Sequence, residues 1–271
     1  MASTILITGS STGIGRATAE LFADRGWNVV ATMRDPADGA ALAERDNVFV
    51  TPLDVTDEAS IAVAIQAAID RFGSLDCLVN NAGYAAYGAI EATSLEDVRR
   101  QFDTNVVGLL AVTKAVLPHF RARSAGTVVN ISSPAGKIGF PLGTLYCGSK
   151  HAVEGMSEAM SYELGAIGVR MRIVEPGAIR TDFATRSFHM TVDDDLPEYA
   201  GLSAAIAGSF ATIDDGASPP GVVAEVIHAA VVDDSDQLRY TAGADAAEMI
   251  GARAAAGDEA FVAGLRARLS G

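Results

Sequence analysis

The feature that most constrains this chain is a short apolar run that stops at glycine and resumes as a helix. Residues 4–8, TILIT, read as a buried strand. Gly9-Ser10-Ser11-Thr12-Gly13-Ile14-Gly15 follows, and Ile14, Ala17, Leu21 and Phe22 then recur at helical spacing until Gly26. A helix entered this way turns bare N–H groups and the positive end of its dipole toward the loop. Glycines lack the Cβ that would keep an anion away from that backbone, so the arrangement suits a pyrophosphate. The spacing is G-x3-G-x-G, not the G-x-G-x-x-G of the general dinucleotide fingerprint. Without its flanking strand and helix, the same cluster would leave room for an ordinary tight turn as the lesser reading.

The strand–helix rhythm continues. Asn28 to Thr32, Val48 to Thr51, Leu75 to Val79, Thr127 to Ile131, Val169 to Val174 and Leu238 to Thr241 read as further strands. Between them lie an amphipathic helix carrying Ile61, Ala64, Ile65, Ala68 and Phe72, helices from Ser94 to Pro118 that carry Asn105, and a helix from about Tyr146 to Ala166. Alternation of this kind predicts a single α/β domain over residues 1–271. It is built on a doubly wound parallel sheet of about seven strands, with right-handed crossovers and helices on both faces. Ligands of such sheets bind beyond the carboxyl ends of the strands. Gly9, Asp54, Asn80, Ser133 and Pro176 each follow a strand end, so they converge on one rim.

Composition removes several function classes. A net charge of −14 over 271 residues opposes nucleic acid and anionic membranes, which are held by Lys and Arg. No apolar run reaches the ~20 residues of a membrane span. The opening Met-Ala-Ser-Thr has no basic leader-like segment, and the two cysteines, Cys77 and Cys147, form no metal or redox pattern. The four histidines are scattered singly. A cytoplasmic protein without a metal site, nucleic-acid partner or membrane association is the expectation.

Chemistry enters at Ser133–Lys150. Tyr146 and Lys150 are spaced i,i+4, on one face of their helix. A phenol with a free pKa of about 10 is a poor base at neutral pH, and a neighbouring ammonium favours its phenolate. Such a tyrosine can exchange a proton with a carbonyl or alcohol oxygen, and Ser133, at a strand end, can hydrogen-bond the same oxygen. Tyr-x-x-x-Lys alone is a common accident of surface helices. Joined to a glycine loop for a hydride carrier, it acquires meaning.

The ordered set Thr8-Gly9-x3-Gly13-x-Gly15, Asn80-Asn81-Ala82-Gly83, Asn105, Ser133, Tyr146-x-x-x-Lys150 and Pro176-Gly177 resembles the classical short-chain dehydrogenase/reductase family. The resemblance covers residues 1 to about 182 and implies a Rossmann-type fold. Arg172-Ile-Val-Glu-Pro-Gly-Ala-Ile-Arg-Thr-Asp-Phe183 and Arg239-Tyr-Thr-Ala-Gly-Ala-Asp245 are similar to the branch that includes 17β-hydroxysteroid and retinol dehydrogenases. The resemblance implies Tyr146 as general acid/base and Lys150 as the group that lowers its pKa and bonds the nicotinamide ribose. Ser133 would orient the substrate oxygen, and Asn105 would hold a water of the proton relay. For the cofactor it implies Gly9, Ser11, Gly13, Ile14 and Gly15 at the pyrophosphate, and Asp54 and Val55 at the adenine. Asn81, Ala82 and Gly83 would lie along it, and Pro176, Gly177, Ile179 and Thr181 near the nicotinamide. NADP(H) is expected, with NAD(H) possible, because Arg34 follows the second strand where Met33 replaces an acidic residue. Two features oppose that preference. Asp35 could face the ribose, and Thr12 stands where a second basic marker would be. Pro134, directly after Ser133, is atypical.

Residues 182–218 break the rhythm. Phe183, Phe188, Met190, Tyr199, Leu202, Ile206 and Phe210 lie there among acidic and small residues, as in a substrate-binding lid over an apolar pocket. A helix starts near Val222, and residues 244–269 read as helical. The reading is an NAD(P)-dependent oxidoreductase interconverting an alcohol and a ketone or aldehyde, a small and mostly apolar molecule. The rival is a non-catalytic dinucleotide sensor of the same fold. Homodimers or homotetramers are what the family resemblance implies.

Overall fold

The computed structural model describes residues 2–182, 186–211 and 216–269. In chain order, β1 (Thr4–Thr8), α1 (Gly13–Asp24), β2 (Asn28–Met33), α2 (Ala40–Ala43), β3 (Val48–Pro52), α3 (Glu58–Phe72) and β4 (Cys77–Asn80) make the first half. Then come β5 (Ala85–Gly88), α4 (Leu95–Phe102), α5 (Leu109–Arg123), β6 (Gly126–Ile131), α6 (Thr144–Gly165) and β7 (Val169–Pro176). The last part holds β8 (Phe188–Thr191), α7 (Ala200–Ala211), α8 (Pro220–Val232), β9 (Arg239–Ala242), α9 (Ala244–Ala256) and α10 (Asp258–Leu269).

Among the described residues, seven strands form one sheet in the order β3-β2-β1-β4-β6-β7-β9, every pair parallel. Both faces are covered, which is why these strands read as unbroken apolar runs rather than as alternation. Ile5, Ile7, Val29, Val79, Val129 and Val174 pack with α1 and α8 through Phe22, Val223 and Ile227. Leu6, Val30, Leu78, Val128 and Met171 pack with α3, α5 and α6 through Ile61, Ile65, Val116, Phe120 and Leu164. The winding reverses between β1 and β4, and a crevice opens at their carboxyl ends.

Four details differ from the sequence-based expectation. α5 runs through Pro118 to Arg123. Proline costs a helix interior about 3 kcal/mol, but fully buried Val112, Val116 and Phe120 hold the helix against the sheet on both sides of it. Asp103–Gly108 winds as a π-helix between α4 and α5. The C-terminal helical region is broken at Gly257 into α9 and α10. Finally, β5 and β8 form a separate two-stranded parallel sheet that local pattern did not reveal.

Candidate active site

The glycine loop is set from beneath. The Thr8 hydroxyl accepts the backbone N–H groups of Asn81 and Ala82, both at 3.0 Å. The Asn81 side-chain amide donates to the Thr8 and Gly9 carbonyls at 2.9 and 3.0 Å. Asn81, expected along the cofactor, thus stitches the end of β4 to the loop. Gly9 and Gly13 hold φ of +70° and +57°, in the left-handed region that favours glycine. Gly15 lies under Gly9, where a Cβ would overlap the Gly9 carbonyl oxygen and stand 2.5 Å from Asn81 Nδ2. Ser11 and Ile14 are half-buried between them.

The start of α1 is kept open. Thr12, its N-cap, makes no side-chain capping bond, and its first turn contains no acid. By contrast, α3 and α4 are capped by Asp57 and Ser94 and carry Glu58, Glu96 and Asp97 in their first turns. A bare helix start that meets a glycine loop with two left-handed glycines fits an anionic pyrophosphate, so the residues present fit a dinucleotide.

At the adenosine end, Arg34 is exposed, and among the described residues no hydrogen bond or ion pair ties it down. Met33 is buried against Gly39. Asp35 Oδ1 accepts the Ala37 N–H at 3.0 Å as the cap of a 3-10 turn, so its carboxylate is engaged locally. Hydrogen bonds from the backbone and hydroxyl of Thr56, at 2.9 and 2.7 Å, hold Asp54 below the usual carboxylate range, and the nearby Arg34 charge adds to this. The Val55 side chain packs in the core against the π-turn, where Gly108 has no side chain to exclude it.

On the opposite rim, Pro176 is buried at the end of β7. Asp245 at the start of α9 accepts the Ala178 N–H at 2.7 Å and fills the space beside Gly177. Ile179 forms an isolated bridge to Ser218. Thr181 reaches across to the glycine loop, for a Cβ on Gly13 would meet its side chain at 3.3 Å. Ala82 and Gly83 pass between these walls, with Gly83 against the Asn105 side chain.

The four candidate catalytic residues come together above this crevice. Tyr146 is hydrogen-bonded to Ser133. Ser133 Oγ also accepts the Ala135 N–H at 3.2 Å, capping a 3-10 turn whose first residue is Pro134. Proline, pre-set in φ and lacking a donor, is suited to that first position, so Pro134 fixes the backbone that aims Ser133. Lys150 Nζ donates to the Ile131 carbonyl at 2.8 Å and lies 5.8 Å from the Tyr146 ring centre. Burial pushes Tyr146 up to about 12, against the lowering effect of the Ser133 hydrogen bond. Burial also pulls Lys150 down to about 8. In the chain alone, desolvation therefore outweighs the expected lowering of the phenol by the ammonium. Asn105, in the π-turn, clamps Tyr84 with Oδ1 on its N–H at 3.0 Å and Nδ2 on its carbonyl at 2.8 Å, and reaches Ser149 at 3.2 Å. Its side chain braces the segment after Gly83 and meets α6 at the residue before Lys150.

Sequence reasoning missed Tyr87. Its ring centre lies 6.0 Å from that of Tyr146, 5.3 Å from Phe188 and 5.2 Å from Phe210, with Phe188 and Phe210 4.3 Å apart. The only local signal is the Ala85-Ala86-Tyr87 run, four residues of strand with Gly88. Of the lid residues named from sequence, Phe188 and Phe210 join this aromatic wall. Tyr199 instead donates to Glu91 at 3.1 Å on the surface, and Phe183 lies outside the described residues. Leu142, in the loop before α6, has φ +58°, a strained value for a branched side chain.

A parallel doubly wound sheet, an open glycine loop and a Ser-Tyr-Lys group on one rim define a nucleotide-dependent oxidoreductase. Residues 3–191 match the family model described as short chain dehydrogenase, and the chain belongs to that family. An uncharacterized oxidoreductase of Schizosaccharomyces pombe is 40% identical over 237 residues, covering 88% of this chain and 99% of its own. The crystal structure of a short-chain dehydrogenase from Streptomyces avermitilis superposes with a TM-score of 0.83 at 32% identity, covering 100% of this chain and 96% of that one. ElxO with NADP bound superposes at 0.74 with 28% identity, covering 92% of this chain and 100% of that one. Among the described residues, no helix is long and apolar enough to cross a membrane.

Proposed function

We propose that this chain interconverts an alcohol and a ketone or aldehyde, with Tyr146 exchanging the proton and NADP(H) preferred over NAD(H). The observation that carries the reading is the hydrogen bond between Tyr146 and Ser133, one helical turn from Lys150 and on the rim of the glycine loop. A nicotinamide cofactor, when bound, supplies or accepts the hydride. Tyr146 gives its proton to the carbonyl oxygen in reduction and takes it from the alcohol in oxidation. Ser133, aimed by the turn at Pro134, hydrogen-bonds the same oxygen. Lys150 steadies the phenolate and the ribose. Tyr87, Phe188 and Phe210 exclude water around Tyr146 and favour an apolar substrate. Arg34 favours the 2′-phosphate through paired, charge-assisted hydrogen bonds, with Met33 buried and Asp35 engaged by Ala37. Assembly as a homodimer or homotetramer through α5 and α6 is in keeping with Tyr162, 75% exposed on α6. The test is a panel of ketones, aldehydes and alcohols, run with both cofactors and read by absorbance of the reduced nicotinamide. Turnover that Tyr146→Phe removes supports the reading. Tight dinucleotide binding without turnover of any member would favour the sensor.

A further inference from the structure

A cluster of charge lies one turn beyond Lys150, and the chemistry above makes no use of it. Glu154 on α6 and Glu175 on β7 are 3% and 2% exposed. Alternation along β7 puts Glu175 on the face of Met171, toward α6 and away from Val174. Glu154 Oε2 takes Lys137 Nζ at 3.0 Å and Arg239 Nε at 2.9 Å, and the second arm of Arg239 reaches Glu158 at 2.6 Å. Both residues that the sequence set apart in the later motifs, Glu175 and Arg239, thus meet here. Oε1 of Glu154 and Oε1 of Glu175 have no hydrogen-bond partner, and neither has the Ser132 hydroxyl beside Glu154. Buried acceptors are rarely left so, because they lose water and gain nothing. One proton between the two carboxyls repairs both defects, with Glu175 in its acid form donating to Glu154.

The electrostatics agree. Burial, then the Glu154 charge, raise the Glu175 carboxyl well above the usual range, against Lys137 and Arg239. The Glu154 charge is also what favours the ammonium of Lys150 against burial. The charged groups facing this cluster are Lys137 in the loop before α6, Lys150 and Glu158 on α6, and Arg239 on β9. We propose that Glu154 and Glu175 form a carboxyl pair sharing one proton, and that the single negative charge left on the pair keeps Lys150 an ammonium. The pair is a positioning element, and its role rests on Lys150 acting as proposed above.

Glu175→Gln imitates the acid form, a donor without charge, whereas Glu154→Gln removes the charge. The wild type should show an infrared carbonyl band of a protonated carboxyl at pH 7 that Glu175→Gln abolishes. Glu175→Gln should leave the alkaline limb of NADPH binding and of turnover where it is. Glu154→Gln should move that limb to lower pH by about one unit or more, and Glu154→Asp should bring it back. No Glu175-dependent band at pH 7 overturns the shared proton, and the wild-type spectrum alone shows its absence if a variant fails to fold. A limb unmoved by Glu154→Gln, or moved equally by Glu175→Gln, overturns the coupling to Lys150. A limb that survives in Lys150→Ala, with the carboxyl band intact, faults the role of Lys150 and not the pair.

Discussion

The glycine loop and the segment beyond Thr181 face one crevice and are built in opposite ways. The loop is backbone held by backbone: Gly15 lies under Gly9, and Thr8 and Asn81 stitch them to β4. The later segment has one short strand on β5, and α7 is a helix of mostly small, exposed residues. Among the described residues it is tied by an aromatic contact group and by exposed side-chain bonds such as Arg186 to Asp38 at 3.3 Å and Tyr199 to Glu91 at 3.1 Å. Exposed pairs of this kind contribute roughly 0–1 kcal/mol. The difference matches the ligands proposed for the two regions. A dinucleotide presents the same phosphates in every turnover, so a rigid backbone serves it. A substrate must enter and leave, and elements with few buried contacts open at low free energy.

The largest expected effect is at the junction of the two regions. Tyr146→Phe should lower turnover by about 10²–10⁴-fold, the usual reach of a general acid/base, with NADPH affinity retained in a fluorescence titration. Loss of cofactor binding together with turnover would assign Tyr146 to the cofactor wall instead. A matched glycine pair comes next. Gly15→Ala forces a Cβ onto the Gly9 carbonyl and should destabilise by about 1–3 kcal/mol, with at least a roughly tenfold loss of NADPH affinity. Gly201→Ala, with nothing within 4 Å of the new Cβ, should leave affinity alone and stabilise α7 by up to about 1 kcal/mol. Equal melting temperatures for the two variants would erase the contrast between a pinned loop and a loosely packed segment.

Arg34→Ala should lose about ten- to a hundredfold in NADPH affinity relative to NADH, the value of one charge-assisted bond, with little change in saturated turnover. Tighter binding of NADH by the wild type would reassign the choice to Asp35. Lys150 supplies a smaller pH effect. Its ammonium is present below about 8 in the chain alone and is lost as pH rises through that value. NADPH affinity should therefore fall a few-fold above pH 8, and a Lys150→Ala titration should be flat there. The smallest effect concerns the aromatic wall. Phe210→Ala removes an apolar face next to Tyr87 and should raise KM for bulky apolar substrates by about three- to tenfold, with cofactor affinity unchanged. A fall in cofactor affinity instead would mean that the segment braces the loop.

Much of the rigid half was legible because its signals are local. TILIT before glycine, the alternation of strand and helix, and Tyr146 four residues before Lys150 are each short patterns with one geometric meaning. Less of the other half was legible. β5 and β8 are four residues each, and their partners lie roughly a hundred residues apart in the chain, so neither segment predicts the other. The role of Asp245 at Gly177 and the use of Asn81 as a brace have the same origin in long-range contact.

By itself, the sequence determined the class of fold, the seven strands of the main sheet and the glycine loop that meets the rim, since period and glycine spacing act within a few residues. Only the tertiary structure decided what each residue does there. Val55 and Met33 turn into the core because neighbouring glycines leave room, and Asp35 is held by its own turn. The phenol of Tyr146 stands near 12 because burial, a property of the whole surroundings, outweighs the Ser133 hydrogen bond. Desolvation and long-range packing are sums over residues far apart in the chain, and no local pattern records them.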